Sequence, residues 1–145
     1  MKLNRATRYA LYAILELAKN PNKHISATDI ANQYNISVNH LVKVLHNLSR
    51  ARLIGSIRGA GGGHRFIGNP KRTTLYDIVS LFEDFGNGTT YLPEPGTETK
   101  IGQSLETVFN EINDIAESTL RSISLTTFLK TMPPPESISK MNPPF

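Results

Sequence analysis

Apolar residues recur at helical spacing along much of this chain, and the pattern is most informative between residues 25 and 67. Ser26 is placed to cap a helix whose inward residues lie three and four positions apart, namely Ala27, Ile30, Ala31 and Tyr34. Asn35 tolerates the left-handed conformation that ends a helix, and the Ser37 hydroxyl is placed to cap the next one. Two helices joined by so short a turn predict a helix-turn-helix unit, whose second helix enters the major groove of DNA.

The second helix has one apolar and one polar face, since successive residues turn by about 100°. The predicted inward residues are Val38, Leu41, Val42, Leu45 and Leu48. The opposite face carries Asn39, His40, Lys43, His46, Asn47 and Arg50, with no carboxylate among them. An ordinary solvated helix mixes charges of both signs. The pattern therefore favours a polyanionic partner over a merely solvated surface.

A β-hairpin is predicted next, with strands at residues 53–57 and 64–67 and a glycine-rich tip between them. The glycines can adopt positive φ, and Arg58 and Arg65 flank the tip. This arrangement favours a wing that binds phosphates or enters the minor groove. An ordinary hairpin loop and a nucleotide-binding loop are the alternatives. The nucleotide-binding loop is a weak alternative, because the glycines lead into a strand and not into a helix N-terminus.

Further helices are predicted on both sides of this unit. An apolar stripe predicts a helix over residues 7–19, at whose start Arg5 and Arg8 either reach a DNA backbone or are ordinary surface charges. Thr74 and Asp77 predict a capping box for a helix that ends near residues 85–86. A short closing helix is predicted over residues 124–129.

The longest helical pattern covers residues 101–122, and its apolar side includes Leu105, Val108, Phe109, Ile112, Ile115, Ala116 and Leu120. This helix either folds back on its own domain or pairs with a second copy. The sequence favours pairing, because the preceding domain looks complete and two-fold dimers of helix-turn-helix proteins bind paired half-sites.

The predicted fold class is mainly α: a winged helix-turn-helix domain at residues 1–86 followed by a dimerisation helix region at 101–130. A polar loop at 87–100 joins them, and the Pro-rich tail at 131–145 is predicted to be disordered. Glu94 and Glu98 in the loop could bind a metal, but two isolated acids are more often simply solvated.

Charge is distributed unevenly about the net value of +4. Residues 1–72 carry twelve Lys and Arg against two acids, whereas residues 73–145 carry four against ten. One half thus suits nucleic acid and the other does not. The chain has no Cys, which excludes disulfides and thiol chemistry. With no predicted membrane span or secretory segment, a cytoplasmic protein without membrane association is expected.

Several pieces together resemble the Rrf-two family of bacterial winged-helix repressors, which has IscR, NsrR and CymR branches. They are MKL at 1–3, the run from Ile36 to His46, the wing residues Leu53, Arg58-Gly59 and Gly62-Gly63, and TLYDIV at 74–79. The resemblance implies a homodimer whose long helix crosses onto the partner chain. Sensing members hold an iron–sulfur cluster on three cysteines, and NsrR-like members add an acidic ligand.

The residues required for such a cluster are absent from this sequence. The segment that corresponds to the three cysteines, residues 91–103, offers only Glu94, Glu98 and Gln103. Arg8 stands at the position of the acidic ligand, and a cationic side chain cannot take that role. We therefore expect neither a cluster nor another metal cofactor.

The sequence predicts a transcriptional regulator, not an enzyme, that acts as a homodimeric repressor on a palindromic operator. Asn39, His40 and Lys43 are predicted to contact base edges. The other predicted DNA-binding residues are Ser26, Ser37, Asn47, Arg50, Arg58, Gly59, Gly62, Gly63, Arg65, Arg5 and Arg8. The alternative is an interaction module that binds a metabolic enzyme, as CymR-like relatives do. A small-molecule or protein effector remains open.

Overall fold

The computed structural model describes residues 1–85 and 94–133, which form six α-helices and one two-stranded sheet. In chain order these are α1 (Arg5–Lys19), α2 (Ala27–Tyr34), α3 (Val38–Arg50), β1 (Ile54–Ile57), β2 (Gly63–Phe66), α4 (Leu75–Val79), α5 (Lys100–Arg121) and α6 (Leu125–Lys130). The predicted mainly α class is confirmed. Gly86, loop residues 87–93 and tail residues 134–145 lie outside the described residues. Within the described ranges, no helix is long and apolar enough to cross a bilayer.

Helices α2 and α3 form the predicted helix-turn-helix. The Ser26 hydroxyl accepts a hydrogen bond from the Asp29 amide at 3.0 Å, so the predicted cap of α2 is confirmed. Asn35 adopts the left-handed conformation, with φ of 53° and ψ of 50°. Ser37 is the N-cap residue of α3 by position, but its hydroxyl accepts no bond from a helix amide, so that part of the prediction is wrong. A backbone bond of 2.8 Å from the Ile36 amide to the Ala31 carbonyl holds this turn instead.

Helix α3 buries a face that differs slightly from the predicted one. Leu41, Leu45 and Leu48 are buried as expected, but Val42 is 50% exposed and Val44 takes its place in the core. Val44 lies beside Ala6 and Tyr9 of α1, because α1 packs along that side of α3. The prediction for Val42 is therefore wrong, and Val38, which is 38% exposed, is also outside the core.

The two strands form the predicted hairpin, with Ile54 opposite Phe66 and Ser56 opposite His64. The hairpin is tied to the segment before α2 through two backbone hydrogen bonds. The Ile25 amide donates to the His64 carbonyl at 2.9 Å, and the His64 amide donates to the Ile25 carbonyl at 2.8 Å. The wing is thus fixed relative to the helix-turn-helix.

The capping box before α4 is confirmed, with the Thr74 amide 2.8 Å from the Asp77 carboxylate. Helix α4 itself ends at Val79, and the predicted continuation to residues 85–86 is wrong because the chain turns after Ser80.

The C-terminal helix α6 completes the core of the first domain. The Leu75 amide donates to the Ile123 carbonyl, and the Leu125 amide donates to the Thr73 carbonyl, both at 2.9 Å. The Leu125 side chain is fully buried. The expectation that the domain is complete by residue 86 is therefore wrong. The fully buried apolar residues of this core are Ala10, Ala13, Ile14, Leu17, Ile30, Leu41, Leu48, Ile78 and Leu125.

We expect Leu125→Ala to lower the free energy of unfolding by about 2–5 kcal/mol, because it leaves a cavity in the core. Leu81→Ala is the matched control, since Leu81 is 43% exposed, and it should cost about 0.5 kcal/mol or less. Urea titration monitored by circular dichroism measures both. Similar small losses in the two variants would show that α6 is not part of the folded core.

Candidate nucleic-acid interface

The polar face of α3 is exposed and free of negative charge. Asn39, His40, Lys43, His46, Asn47 and Arg50 are all exposed, as predicted. Leucine burial on the other side of the helix holds them outward. The face can donate hydrogen bonds to base edges and attract phosphates, which is the chemistry that duplex DNA requires.

Helix α1 adds a cation beside this face. Arg5 and Tyr9 line an open groove of about 250 Å³ together with His40, Lys43 and Asn47 of α3. Arg5 therefore joins the recognition-helix residues, as the sequence predicted it could. Arg8 is also exposed but does not line the groove.

A hydrogen-bonded clasp holds the start of α1 and therefore Arg5. The Glu83 carboxylate accepts from the Asn4 amide at 2.6 Å and from the Thr7 hydroxyl at 2.7 Å. The Asn4 side chain donates to the Phe82 carbonyl at 2.8 Å and caps α1 through the Thr7 amide at 2.8 Å. Apart from the local Asn4–Thr7 cap, these partners are 76 to 79 residues apart in the sequence, so no local pattern could have predicted the clasp.

The wing carries its predicted cations at exposed positions. Arg58 and Arg65 are both exposed, one at the tip and one on β2. Gly59 has a φ of 97°, which favours glycine, and no atom of the described residues lies within 4 Å of a Cβ placed there. Gly59 is thus an open position at which a DNA backbone could approach.

The other two predicted wing glycines, Gly62 and Gly63, lie so close to other backbone segments of the same chain that a side chain would not fit. A Cβ at Gly62 would lie 2.3 Å from the Ile57 carbonyl oxygen, and one at Gly63 would lie 2.7 Å from the Ile25 carbonyl carbon. The close approach predicted at this tip is therefore intramolecular at both positions. Ser26 is likewise engaged as a helix cap, whereas Ser37 is exposed and makes no capping bond.

His64 lies in the wing but adds no charge to it near neutral pH. Its Nδ1 is 2.8 Å from the Ser56 hydroxyl. Burial lowers the pKa of the imidazole below its ordinary value, because the charged form loses solvation. The cationic character of the wing thus comes from Arg58 and Arg65.

Two exposed valines on α3 were missed as candidate contacts, because the sequence placed them in the core. Val38 precedes Asn39, and Val42 lines a shallow hollow with Ser56 and His64 of the wing. An exposed apolar side chain on a recognition helix suits the methyl group of thymine.

The predicted dimerisation residues form an apolar stripe on α5. Leu105, Val108, Phe109, Ile112 and Ile115 are 49–62% exposed, and Ala116 is half-buried. Leu120 differs, since it packs partly against the core of its own chain. The Arg121 guanidinium lies 3.8 Å from the centre of the Tyr76 ring and fixes this end of the helix against α4.

Comparison with known proteins identifies the group to which this chain is related. A family model described as "Rrf2: Iron-dependent Transcriptional regulator" matches residues 3–131. The chain belongs to the Rrf2 family. It is a transcriptional regulator with a winged-helix DNA-binding fold, which confirms the resemblance drawn from the sequence.

Individual relatives of this Rrf2 protein agree with the assignment. It is 51% identical over 132 residues to the HTH-type transcriptional regulator BadM of Rhodopseudomonas palustris, covering 91% of this chain and 83% of the relative. It is 38% identical over 85 residues to NsrR of Bacillus licheniformis, covering 58% of this chain and 59% of that protein. The structure is similar to that of CymR, the global cysteine regulator of B. subtilis, with a TM-score of 0.74 at 26% identity over 92% of this chain and 99% of CymR.

The iron dependence in the family description does not fit the donor atoms of this chain. The sequence contains no thiolate, and Arg8 is an exposed cation at the position expected for the acidic ligand. Among the described residues, no three His, Asp or Glu side chains are grouped so that they could hold a metal ion. Glu94 and Glu98 accordingly lack a third partner of these types within the described ranges.

We expect Lys43→Ala and Arg58→Ala to weaken DNA binding in different ways. Lys43→Ala should lower affinity for the preferred site about tenfold or more while changing affinity for random DNA much less, because a base contact is lost. Arg58→Ala should weaken both and reduce the slope of log K against log salt by about 1, because a phosphate contact is lost. Fluorescence anisotropy on both DNAs across a salt series measures these changes.

Lys130→Ala is the control for that experiment, because Lys130 is an exposed cation at the end of α6. It should leave affinity and salt slope unchanged. If Lys43→Ala lost affinity equally on both DNAs, Lys43 would contact a phosphate and not a base. If Arg58→Ala had an unchanged salt slope, the wing would not be part of the interface.

Proposed function

We propose that this Rrf2 regulator is a homodimeric repressor that binds a palindromic operator and excludes the transcription machinery. The observation that carries the proposal is the combination, in one chain, of an acid-free recognition helix and a long helix whose apolar residues between Leu105 and Ile115 are exposed. The first feature supports DNA binding, and the second supports pairing with another copy.

The apolar stripe of α5 supports a two-fold dimer. The helix has 22 residues and is about 33 Å long, yet none of its residues is buried in the single chain. Contiguous exposed apolar surface on this scale is typical of an interaction site. A second α5, packed antiparallel, would bury Leu105, Phe109 and Ile112 and leave Glu106 and Asp114 in solvent. The same surface then serves both subunits, as two-fold symmetry requires.

The DNA contacts follow from the basic face. Asn39, His40 and Lys43 lie in the first half of α3, the part of a recognition helix that contacts base edges. We assign Arg50, Arg5 and the wing residues Arg58 and Arg65 to phosphates or the minor groove, because all four are exposed cations. A dimer presents two such faces, so the operator is expected to contain two half-sites about one helical turn apart.

We also propose that the regulator acts without an iron–sulfur cluster. The absence of thiolates and the cation at position 8 support this, whatever the family description implies for other members. Three possibilities for control are then a small molecule, a protein partner or no signal. Binding of a metabolic enzyme through the acidic side of α5 is the alternative function.

The dimer is tested by Ile112→Glu, since Ile112 is at the centre of the stripe and 56% exposed. We expect the variant to become monomeric in sedimentation experiments and to bind a two-half-site DNA about as weakly as a single half-site. The reason is that a charge would be buried between the helices.

Asn110→Glu introduces the same charge on the opposite side of α5, and it should remain dimeric with unchanged affinity. A monomeric wild-type chain, or an Ile112→Glu variant that stays dimeric with full affinity, would contradict the proposed interface. Recovery of one enzyme in stoichiometric amount from cell extract, together with no DNA affinity, would favour the alternative.

A further inference from the structure

A cavity of about 350 Å³ opens between α1, the end of α2 and α6, away from the recognition face. We call it the α1–α6 cavity. Its apolar walls are Leu11, Leu15, Leu75, Phe128, Leu129 and Met132. Two tyrosines, one acid and one lysine complete the lining: Tyr12, Tyr34, Glu16 and Lys19. Apolar cavities of this size with a few polar groups are typical small-molecule sites.

The acid is the unusual member of this lining. Glu16 is only 9% exposed, and both of its hydrogen-bond donors reach the same oxygen. The Tyr34 hydroxyl is 2.6 Å and the Gln33 amide nitrogen 2.9 Å from Oε1. No described residue donates to Oε2. Among the described residues, no fully enclosed polar side-chain atom lacks a partner, so Oε2 is reachable from open space. Oε2 is therefore an acceptor that the described residues leave to solvent, and a ligand with a hydrogen-bond donor can take the place of that solvent.

The other lining residues define what kind of molecule fits. The Tyr12 and Tyr34 rings are parallel within 2°, with centroids 4.8 Å apart, and give the cavity an aromatic wall. Glu16 requires a hydrogen-bond donor and disfavours an anion, while Lys19 disfavours a cation. We propose that the α1–α6 cavity binds a small neutral aromatic molecule whose hydroxyl group donates a hydrogen bond to Oε2 of Glu16.

Such a ligand would touch the helix-turn-helix directly. Tyr34 is the last residue of α2 and precedes the left-handed Asn35 that sets the angle of α3. Glu16 joins Tyr34 and Gln33 to α1. A molecule bound to Oε2 therefore acts on the contact that positions α2 against α1. Its effect on DNA affinity rests on the proposed function, whereas its binding to the cavity does not.

The test uses 4-cresol and its methyl ether 4-methylanisole, which differ in the hydroxyl donor. We expect 4-cresol to bind the full chain with a dissociation constant of about 1 mM and the ether to bind about tenfold more weakly. Amide chemical shifts in ¹⁵N spectra should change at Gln33, Tyr34 and Phe128 and extend to Asn35. Equal binding of both probes, or shifts confined to α5, would overturn the proposal.

Two variants test whether Glu16 binds the ligand or only supports the fold. Glu16→Gln should reduce the preference for 4-cresol to about twofold or less, because a neutral amide is a weaker acceptor. Leu129→Phe should abolish binding of both probes by filling the cavity, whereas Leu81→Phe, at an exposed leucine, should bind both normally. Thermal melting verifies that each variant folds. An unchanged preference in Glu16→Gln would overturn the assignment of the acid.

Two other occupants would also overturn the proposal. If 4-cresol binds only after residues 134–145 are removed, the chain's own tail fills the cavity. If it binds only to the monomeric Ile112→Glu variant, a second copy fills it. Failure of 4-cresol to bind any of these proteins would likewise exclude the ligand class. None of these outcomes depends on whether the protein represses transcription, so this proposal and the previous one can fail separately.

Discussion

Burial of Leu41, Val44, Leu45 and Leu48 in the core that α3 shares with α1, α2 and β1 fixes the direction in which the recognition helix faces. Each fully buried aliphatic side chain contributes about 1.5–3 kcal/mol relative to exposure. A rotation of α3 by one residue, about 100°, would expose part of this set and move polar side chains such as Lys43 toward the core. The helix therefore has one favourable orientation. The acid-free face is presented to solvent as a consequence of packing, before any DNA is bound.

The same core joins the DNA-binding part to the C-terminal region. Leu125 of α6 packs in one cluster with Ile14 and Leu17 of α1, and the Thr73–Leu75 segment pairs with residues 123–125. Helix α5 contacts this core only at its C-terminal end, through Leu120 and Arg121. The rest of the helix carries the exposed apolar stripe. Helix α6 contacts α1 directly, and α5 contacts α4, which itself packs on α1. A change in how either helix packs therefore reaches α1, which contacts both the recognition helix and the wing. Under the proposed function, this connection is the route by which we expect a signal at the C-terminal side to reach the DNA-binding face.

Local patterns predicted the parts of the fold that local chemistry determines. The Thr74–Asp77 capping box, the left-handed Asn35 and the outward face of α3 all follow from residue type and spacing, and the structure has them. The burial of Val44 in place of Val42 had a signal in the sequence that the prediction missed, because Leu41, Val44, Leu45 and Leu48 lie at spacings i, i+3, i+4 and i+7. The roles of Gly63, Leu125 and the Asn4–Glu83 clasp depend on contacts between distant segments. The base contacts of Asn39, His40 and Lys43 and the dimer stay predictions.

Sequence-specific binding by a dimer is tested by selecting genomic fragments with the purified protein and titrating the preferred fragment across a salt series. We expect enrichment of a palindrome with two half-sites about one helical turn apart and binding that weakens steeply with salt. Inserting about five base pairs between the half-sites should remove most of the affinity, since it turns one half-site to the opposite side of the duplex. Weak binding of equal strength to all fragments would show that the protein is not a sequence-specific dimeric DNA-binding regulator.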